Sequence, residues 1–480
     1  MCYKYLKKNF LFIFCSVFLN FNALAQSVSP DSGKVLSFKD FFNLVKKNHP
    51  VSRQANLFTR QAQAELLSAK GGFDPKIYGD YEQKYFDAKN YFSLGDYGFK
   101  IPTWYGIEVK GGYNTASGVN ISGENKLPSQ GQAVLGVSIP LLQNLMIDDR
   151  RANLFKARQS QGLNQAERDN LMNDLGIEAT KTYWKWWYYH QQMLIFQQAL
   201  NIANQRFRAI KASYELGERM AMDTLESYTQ VQDRIVQVND AQLDFQEASL
   251  KLANFLWQNE TAPMNFSMQF KPENMSEGPL SILASQVGIS SQERLILLEN
   301  LTSNHPILKN YQFKMAQLEI DKRLKIEKFK PKLNLNYNIL GNGFQWFNPF
   351  IDNYKWGVSF STSTLFRAER GDVQVANIKI ENTRLFRDQK TLELKNKLQT
   401  YFAETDNLLN QIRLYQDQLA NNQRLLELET MRFQLGESSF FLINSRESKV
   451  IDTQIKLVKY QTDYQISRAN VDWAAGRLVF

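Results

Sequence analysis

Two hydrophobic periods take turns along this chain. From Val231, seam positions recur at Ile235, Val238, Gln242, Phe245, Ser249, Leu252 and Leu256, in steps alternating four and three. The same stepping runs through Leu394, Leu398, Tyr401, Thr405, Leu408, Ile412, Tyr415, Leu419, Asn422 and Leu426. A period of 3.5 residues held over this distance predicts coiled-coil packing. From about Asp148 to Leu216 there is no proline and only Gly162 and Gly176, which predicts a single helix of roughly 100 Å at 1.5 Å per residue. It breaks at Leu216-Gly217-Glu218, and a second helical run reaches about Trp257. The last third repeats this: a long run, a break at Leu435-Gly436-Glu437, and a helix from about Ser438 to Gly476. Helices this long cannot bury their apolar stripes in a globule, so they must lie against one another or a partner chain.

Between the helices the period falls to two. Ile77, Gly79, Tyr81, Gln83 and Tyr85 alternate with Asp80, Glu82 and Lys84, and Leu135, Val137 and Ile139 alternate with small residues. Later, Leu333, Leu335, Tyr337 and Ile339 alternate with asparagines, and Tyr354, Trp356, Val358 and Phe360 with polar or small neighbours. Such runs suit transmembrane barrel strands or the strands of an ordinary half-buried sheet. The punctuation is duplicated. Asn48-His49-Pro50 is followed by Phe73-Asp74-Pro75, and Asn304-His305-Pro306 by Phe329-Lys330-Pro331 at the same interval. Two copies of one supersecondary unit are therefore expected. Residues 88–131 have no counterpart in the second half. There Ile107, Val109 and Tyr113 could form an added strand or part of an extracellular hairpin.

Composition narrows the setting. Lys4, Lys7 and Lys8, the apolar run from Phe10 to Phe21 and the small-x-small site at Ala23-Leu24-Ala25 predict a secretory signal peptide. That run is about 12 residues, short of the roughly 20 that span a bilayer as a helix. Its removal would take the formal charge from +9 to +6 and remove both cysteines, Cys2 and Cys15. Disulfides, thiol nucleophiles and thiolate metal sites are then excluded. With a mean hydropathy of −0.42 and no run of 18 apolar residues, an exported chain could enter a membrane only as strands of a closed barrel. No basic cluster dense enough for nucleic acid appears. His49 and His305 sit in the repeated helix starts, His190 stands beside Tyr188 and Tyr189, and no His/Cys set has ligand spacing. Neither a P-loop nor a dinucleotide fingerprint is present. Hence no enzyme activity and no cofactor are expected. The cluster Tyr183, Trp184, Trp186, Trp187, Tyr188 and Tyr189 reads as packing where helices meet the barrel end.

The order of leader, helix, strand pair, long helical hairpin, and then the same again, resembles the TolC family of outer-membrane efflux proteins. The likeness covers almost the whole chain after its leader. It rests on the Asn-His-Pro starts, the Phe-x-Pro corners, the strand Leu135 to Pro140 followed by Leu141, and the aromatic-x-x-Gly tips at Tyr214–Gly217 and Phe433–Gly436. The resemblance implies an α+β membrane protein: long antiparallel coiled-coil hairpins plus strands that form an intermolecular β-barrel, internally duplicated. It implies four strands from each chain of a homotrimer, closing one 12-stranded barrel. Residues 1–25 are expected to be the leader, 26–260 the first repeat, 261–290 a linker and 291–480 the second repeat. Two departures stand out. Ser361 to Thr364 replace the expected Pro-Leu-Phe, and Leu442 and Ser445 occupy places where the family often carries acids ringing the periplasmic entrance. The acids appear instead at the first repeat's Asp223 and Glu226, candidate gate residues that would equally suit the first turn of a helix.

The function so implied is the exit duct of a tripartite efflux or type I secretion system. It would sit in outer-membrane lipid, extend into the periplasm, and work with a periplasmic adaptor and an inner-membrane transporter. Leu216, Gly217, Glu218, Arg219, Leu435, Gly436 and Glu437 are the expected adaptor contacts. The alternatives are a periplasmic coiled-coil adaptor or scaffold without a barrel, and a surface barrel, for which such long coils have no use.

Overall fold

A computed structural model describes residues 35–258, 262–264, 270–273, 288–343 and 352–478. The expected leader with both cysteines lies outside these residues, as does much of the expected linker. The first half runs β1 (Val35–Leu36), α1 (Phe38–Asn48), α2 (Pro50–Lys70), β2 (Lys76–Phe86), β3 (Lys89–Pro102), β4 (Glu108–Ser117), β5 (Gln132–Pro140), α3 (Asp149–Glu215) and α4 (Ala221–Ala253). Short strands β6 (Trp257–Gln258), β7 (Ala262–Pro263) and β8 (Lys271–Pro272) follow. The second half runs α5 (Ser291–Asn304), α6 (Pro306–Glu327), β9 (Lys332–Asn342), β10 (Tyr354–Ser361), α7 (Arg367–Gln434) and α8 (Phe440–Ala474).

The repeated Asn-His-Pro has a mechanical role. In each copy the histidine is the N-cap of the following helix and proline occupies its first turn. His49 Nδ1 accepts from Val51 N and His305 Nδ1 from Ile307 N, both at 3.2 Å. The ring thus satisfies a donor that proline's fixed geometry leaves at the helix start. Helices α3 and α7 hold 67 and 68 residues, each about 100 Å long, and α4 and α8 fold back along them. At both turns glycine takes the left-handed conformation, with φ of +80° at Gly217 and +78° at Gly436, which a side chain would oppose.

The second seam is buried or half-buried throughout, and the first holds at Val231, Val238, Phe245, Ser249, Leu252 and Leu256 but departs at two positions. Ile235 and Gln242 are exposed, and their neighbours Arg234 and Ala241 are buried instead. Toward the middle of α3, Ala248 and Leu252 share one buried cluster with Trp186 and Trp187. Those aromatics do not mark the barrel end. They lie midway along α3, where Tyr183, Trp184, Trp186 and Trp187 pack with Phe41 of α1 and Leu256 after α4. Tyr183 Oη donates to Leu36 O at 2.8 Å and Trp187 Nε1 to Glu273 O at 3.2 Å, fastening β1 and the segment after β8 around this waist.

The strand count differs from the family expectation. Six strands, not four, form one antiparallel sheet in the order β10-β9-β5-β4-β3-β2. Residues 88–131 supply a whole extra hairpin, β3 and β4, placed between β2 and β5. Its helix-side turn is anchored by Trp104 stacked on Phe73, with ring centroids 4.3 Å apart. In the second half Phe329 stacks on Phe366 instead, at 5.9 Å. Phe366 carries a φ of +50°, and its N–H donates to Ser363 Oγ at 3.3 Å. The Ser-Thr segment therefore makes the strand exit that Pro-Leu-Phe was expected to make.

Candidate functional site

The six-stranded sheet has two unlike faces. In register, Ile77, Phe99, Gly111, Leu135, Ile339 and Tyr354 fall on one face. Lys76, Lys100, Lys110, Gly136, Asn338 and Lys355 form the adjacent row on the other. The apolar face is open: Ile77 is 90% exposed, Trp356 62% and Phe360 64%. Rings cover its glycines, since a Cβ added at Gly79 would meet Tyr97 and one at Gly111 would meet Phe99. Aromatic cover of this kind restores the packing that glycine loses in a strand. The polar face curls around a cavity of about 670 Å³ lined by residues such as Asp80, Glu82, Asp96, Lys110, Asn338 and Lys355. Apolar outside and polar inside, strand after strand, is the dyad of a membrane barrel with an aqueous lumen. Among the described residues no strand lies beyond either edge, β2 or β10. No helix among the described residues is long and apolar enough to cross a membrane.

At the opposite end lie the two hairpin tips. Leu216 and Leu435 are 76% and 74% exposed, and Gly217, Glu218, Gly436 and Glu437 are exposed beside them. Arg219 is different. Its guanidinium lies 4.1 Å from the Phe433 ring centroid and donates to Phe433 O at 3.4 Å, so it joins one tip to the other. Asp223 and Glu226 are half-buried on the first turns of α4. Glu226 shares a groove with Ser445 on α8, so the first-repeat acid faces the position where the second repeat lacks one.

Above the tips is a lock that sequence reasoning missed. Arg206 on α3 forms an ion pair with Glu447 on α8, whose side chain is buried. At the next residue of α8, Ser448 Oγ accepts from Arg234 on α4 at 3.1 Å. These bonds tie the first hairpin to the second across more than 200 positions of sequence, and each residue alone reads as an ordinary polar helix position. Among the described residues no group of three His, Cys, Asp or Glu is placed to hold a metal ion. His190 is buried against the Phe245 ring at 5.2 Å, and burial, with Lys271 nearby, pushes its imidazole down to about 4. It is a core residue.

Residues 297–477 match the sequence profile of the family described as outer membrane efflux protein. No curated protein gives a significant sequence match. Among solved structures the fold is similar to the outer-membrane channel OprN, at 12% identity and a TM-score of 0.65, over 91% of this chain and 89% of that one. It is similar to the outer membrane protein VceC of Vibrio cholerae, at 13% identity and a TM-score of 0.64, over 91% and 95%. It also resembles the Campylobacter jejuni outer membrane channel CmeC, at 13% identity and a TM-score of 0.62, over 98% and 94%. Residues 297–477 thus carry the outer membrane efflux protein profile, and more than nine-tenths of the chain shares the fold of these outer-membrane channels.

Proposed function

We propose that three copies of this chain form an outer-membrane exit duct, through which solutes or polypeptides leave passively. An inner-membrane transporter delivers them and a periplasmic adaptor engages the tips. The observation that carries this reading is the sheet: an apolar face with open edges on both sides. An open edge in hydrocarbon would leave backbone N–H and C=O groups unpaired, so a lipid-embedded sheet must be closed by further copies. The helices support assembly too. Val236, Leu243 and Leu250 on α4, and Ile378, Leu385 and Leu392 on α7, recur every seven residues and are each more than half exposed. Such stripes are coiled-coil seams awaiting a partner helix.

In this duct the Arg206–Glu447 and Arg234–Ser448 links hold the hairpins together at the periplasmic end. The adaptor, touching Leu216, Glu218, Leu435 and Glu437, opens them by binding the splayed state more tightly. Asp223 and Glu226 line the entrance and favour cations. Membrane fractionation and bilayer recording test the proposal. Recovery from the outer membrane as a detergent-resistant trimer, with cation selectivity that falls in D223N/E226Q, is the expected result. A soluble periplasmic monomer would instead favour the barrel-free adaptor or scaffold.

A further inference from the structure

The strand ends carry information about how the copies meet. One cross-strand row runs Lys76, Lys100, Lys110, Gly136, Asn338, Lys355. Lys76 is the first residue of β2, yet Lys355 lies six positions before Ser361, the last residue of β10. The helix-side ends of the strands thus descend in a staircase of six residues across one sheet. The rise of a staircase of this kind fixes the tilt of the barrel into which it closes.

We propose, resting on the trimeric reading above, that β2 of one copy pairs antiparallel with β10 of the next, Lys76 opposite Ser361, closing a barrel of eighteen strands. Three arguments converge on this register. It sets the first residue of β2 level with the last of β10, so the stair repeats from copy to copy. It keeps the faces continuous: Ile77 meets Phe360 and Tyr81 meets Trp356 outside, whereas a one-residue slip would turn every side chain over. It also sets Glu82 against Lys355, both on the concave polar face. A slip of two residues in one direction would oppose Lys84 to Lys355, a like-charge pair that antiparallel strands disfavour.

Three stairs of six residues give a shear equal to the strand number. With a rise of about 3.3 Å per residue and a strand spacing of about 4.8 Å, the strands tilt by about 35°, in keeping with membrane barrels. The backbone-to-backbone diameter is then about 34 Å, against about 22 Å for twelve strands at the same tilt. Barrels of 16–18 strands keep a water-filled lumen. The extra hairpin β3–β4 therefore widens the outer-membrane mouth.

Cysteine cross-linking tests this in the full-length exported chain, whose only cysteines stand at positions 2 and 15, with the parent protein as control. E82C combined with K355C, and separately I77C with F360C on the other face, should give covalent dimers and trimers on oxidation and no larger species. Either single variant should give no trimer. Linking through D80C with K355C or K84C with K355C instead, still ending at trimer, overturns the register but leaves the trimer standing. A ladder that ends at dimer or climbs past trimer overturns the trimeric reading itself. Thiol loss without a mass increase means the sheet closes on itself, and no linkage with any pair means the edges do not meet; both overturn the proposal.

Discussion

Trp186 and Thr405 occupy the same place in the two halves, each 31 positions before its tip glycine. Both are fully buried, and each meets a serine of the returning helix. Trp186 Nε1 donates to Ser249 Oγ at 2.9 Å, and Thr405 Oγ1 lies 3.0 Å from Ser467 Oγ. One position on, Trp187 is buried in the first half, while Asp406 in the second pairs with Arg294 at 2.6 Å. Duplication kept the coil and its hydrogen bond, but the two cores diverged. The first half fills the site with indole rings against α1 and the short strands, and the second with a hydroxyl pair, leucines and a surface ion pair. The load on the waist is therefore unequal.

The largest expected effect tests this inequality. W186A removes a fully enclosed ring and should destabilise the protein by about 3–5 kcal/mol. T405V, which removes only the hydroxyl bond, should cost about 1 kcal/mol. Thermal unfolding in detergent reads both, and equal losses would erase the distinction between the cores. Next comes the lock between the halves. E447A leaves Arg206 without its buried partner and should cost about 3 kcal/mol. In bilayers it should also raise the time spent open, whereas a change in stability alone would confine the pair to packing.

The histidine caps provide a comparison by pH. Burial, aided by Lys390, holds the His305 imidazole at about 4, below its ordinary 6.5. Burial also lowers His49. A depressed histidine stabilises the fold in its neutral form, so the contribution is full above pH 6.5 and drains as pH falls toward 4. The cap needs that neutrality, because Nδ1 must accept a hydrogen bond. The loss should reach at most about 3 kcal/mol at His305. H305N, which caps without titrating in this range, should flatten the pH dependence of the melting temperature across that window. An unchanged slope would exclude the cap as its origin. The smallest effect belongs to the tips. R219A removes a cation–π contact of about 1 kcal/mol and should expose the first tip to proteolysis sooner than the second, which has its own Ser439 cap on Leu442 N.

The helices were legible in the residues because their evidence is local. An unbroken run between Asp148 and Leu216, a four-three seam from Leu394 and a glycine in each tip fix helix, hairpin and turn by short-range chemistry. The alternation from Ile77 and from Leu333 likewise announced strands and their apolar face. What sequence missed was relational. The α4 seam departs at two positions because Ile235 and Gln242 satisfy the period as well as the buried Arg234 and Ala241 do. At Arg234 the choice goes with Ser448 of α8, a partner more than 200 positions away. The extra hairpin stayed undecided between an added strand at Val109 and Tyr113 and an extracellular hairpin, because Gly95, Gly98, Gly111 and Gly112 dilute the strand pattern. The cover at Gly111 comes from Phe99 on the neighbouring strand. Arg206 and Glu447 had no signal at all.

By itself, then, the sequence determined what each segment becomes: the duplicated order, the long coils, the tips, and strands with one apolar and one polar face. These depend on periods and turns that a few neighbouring residues complete. Only the tertiary structure decided how many strands share the sheet, how they step, which faces of the coils meet, and that Arg219 binds its own neighbouring tip. Pairing partners are chosen by packing across hundreds of positions, and no local pattern carries that choice.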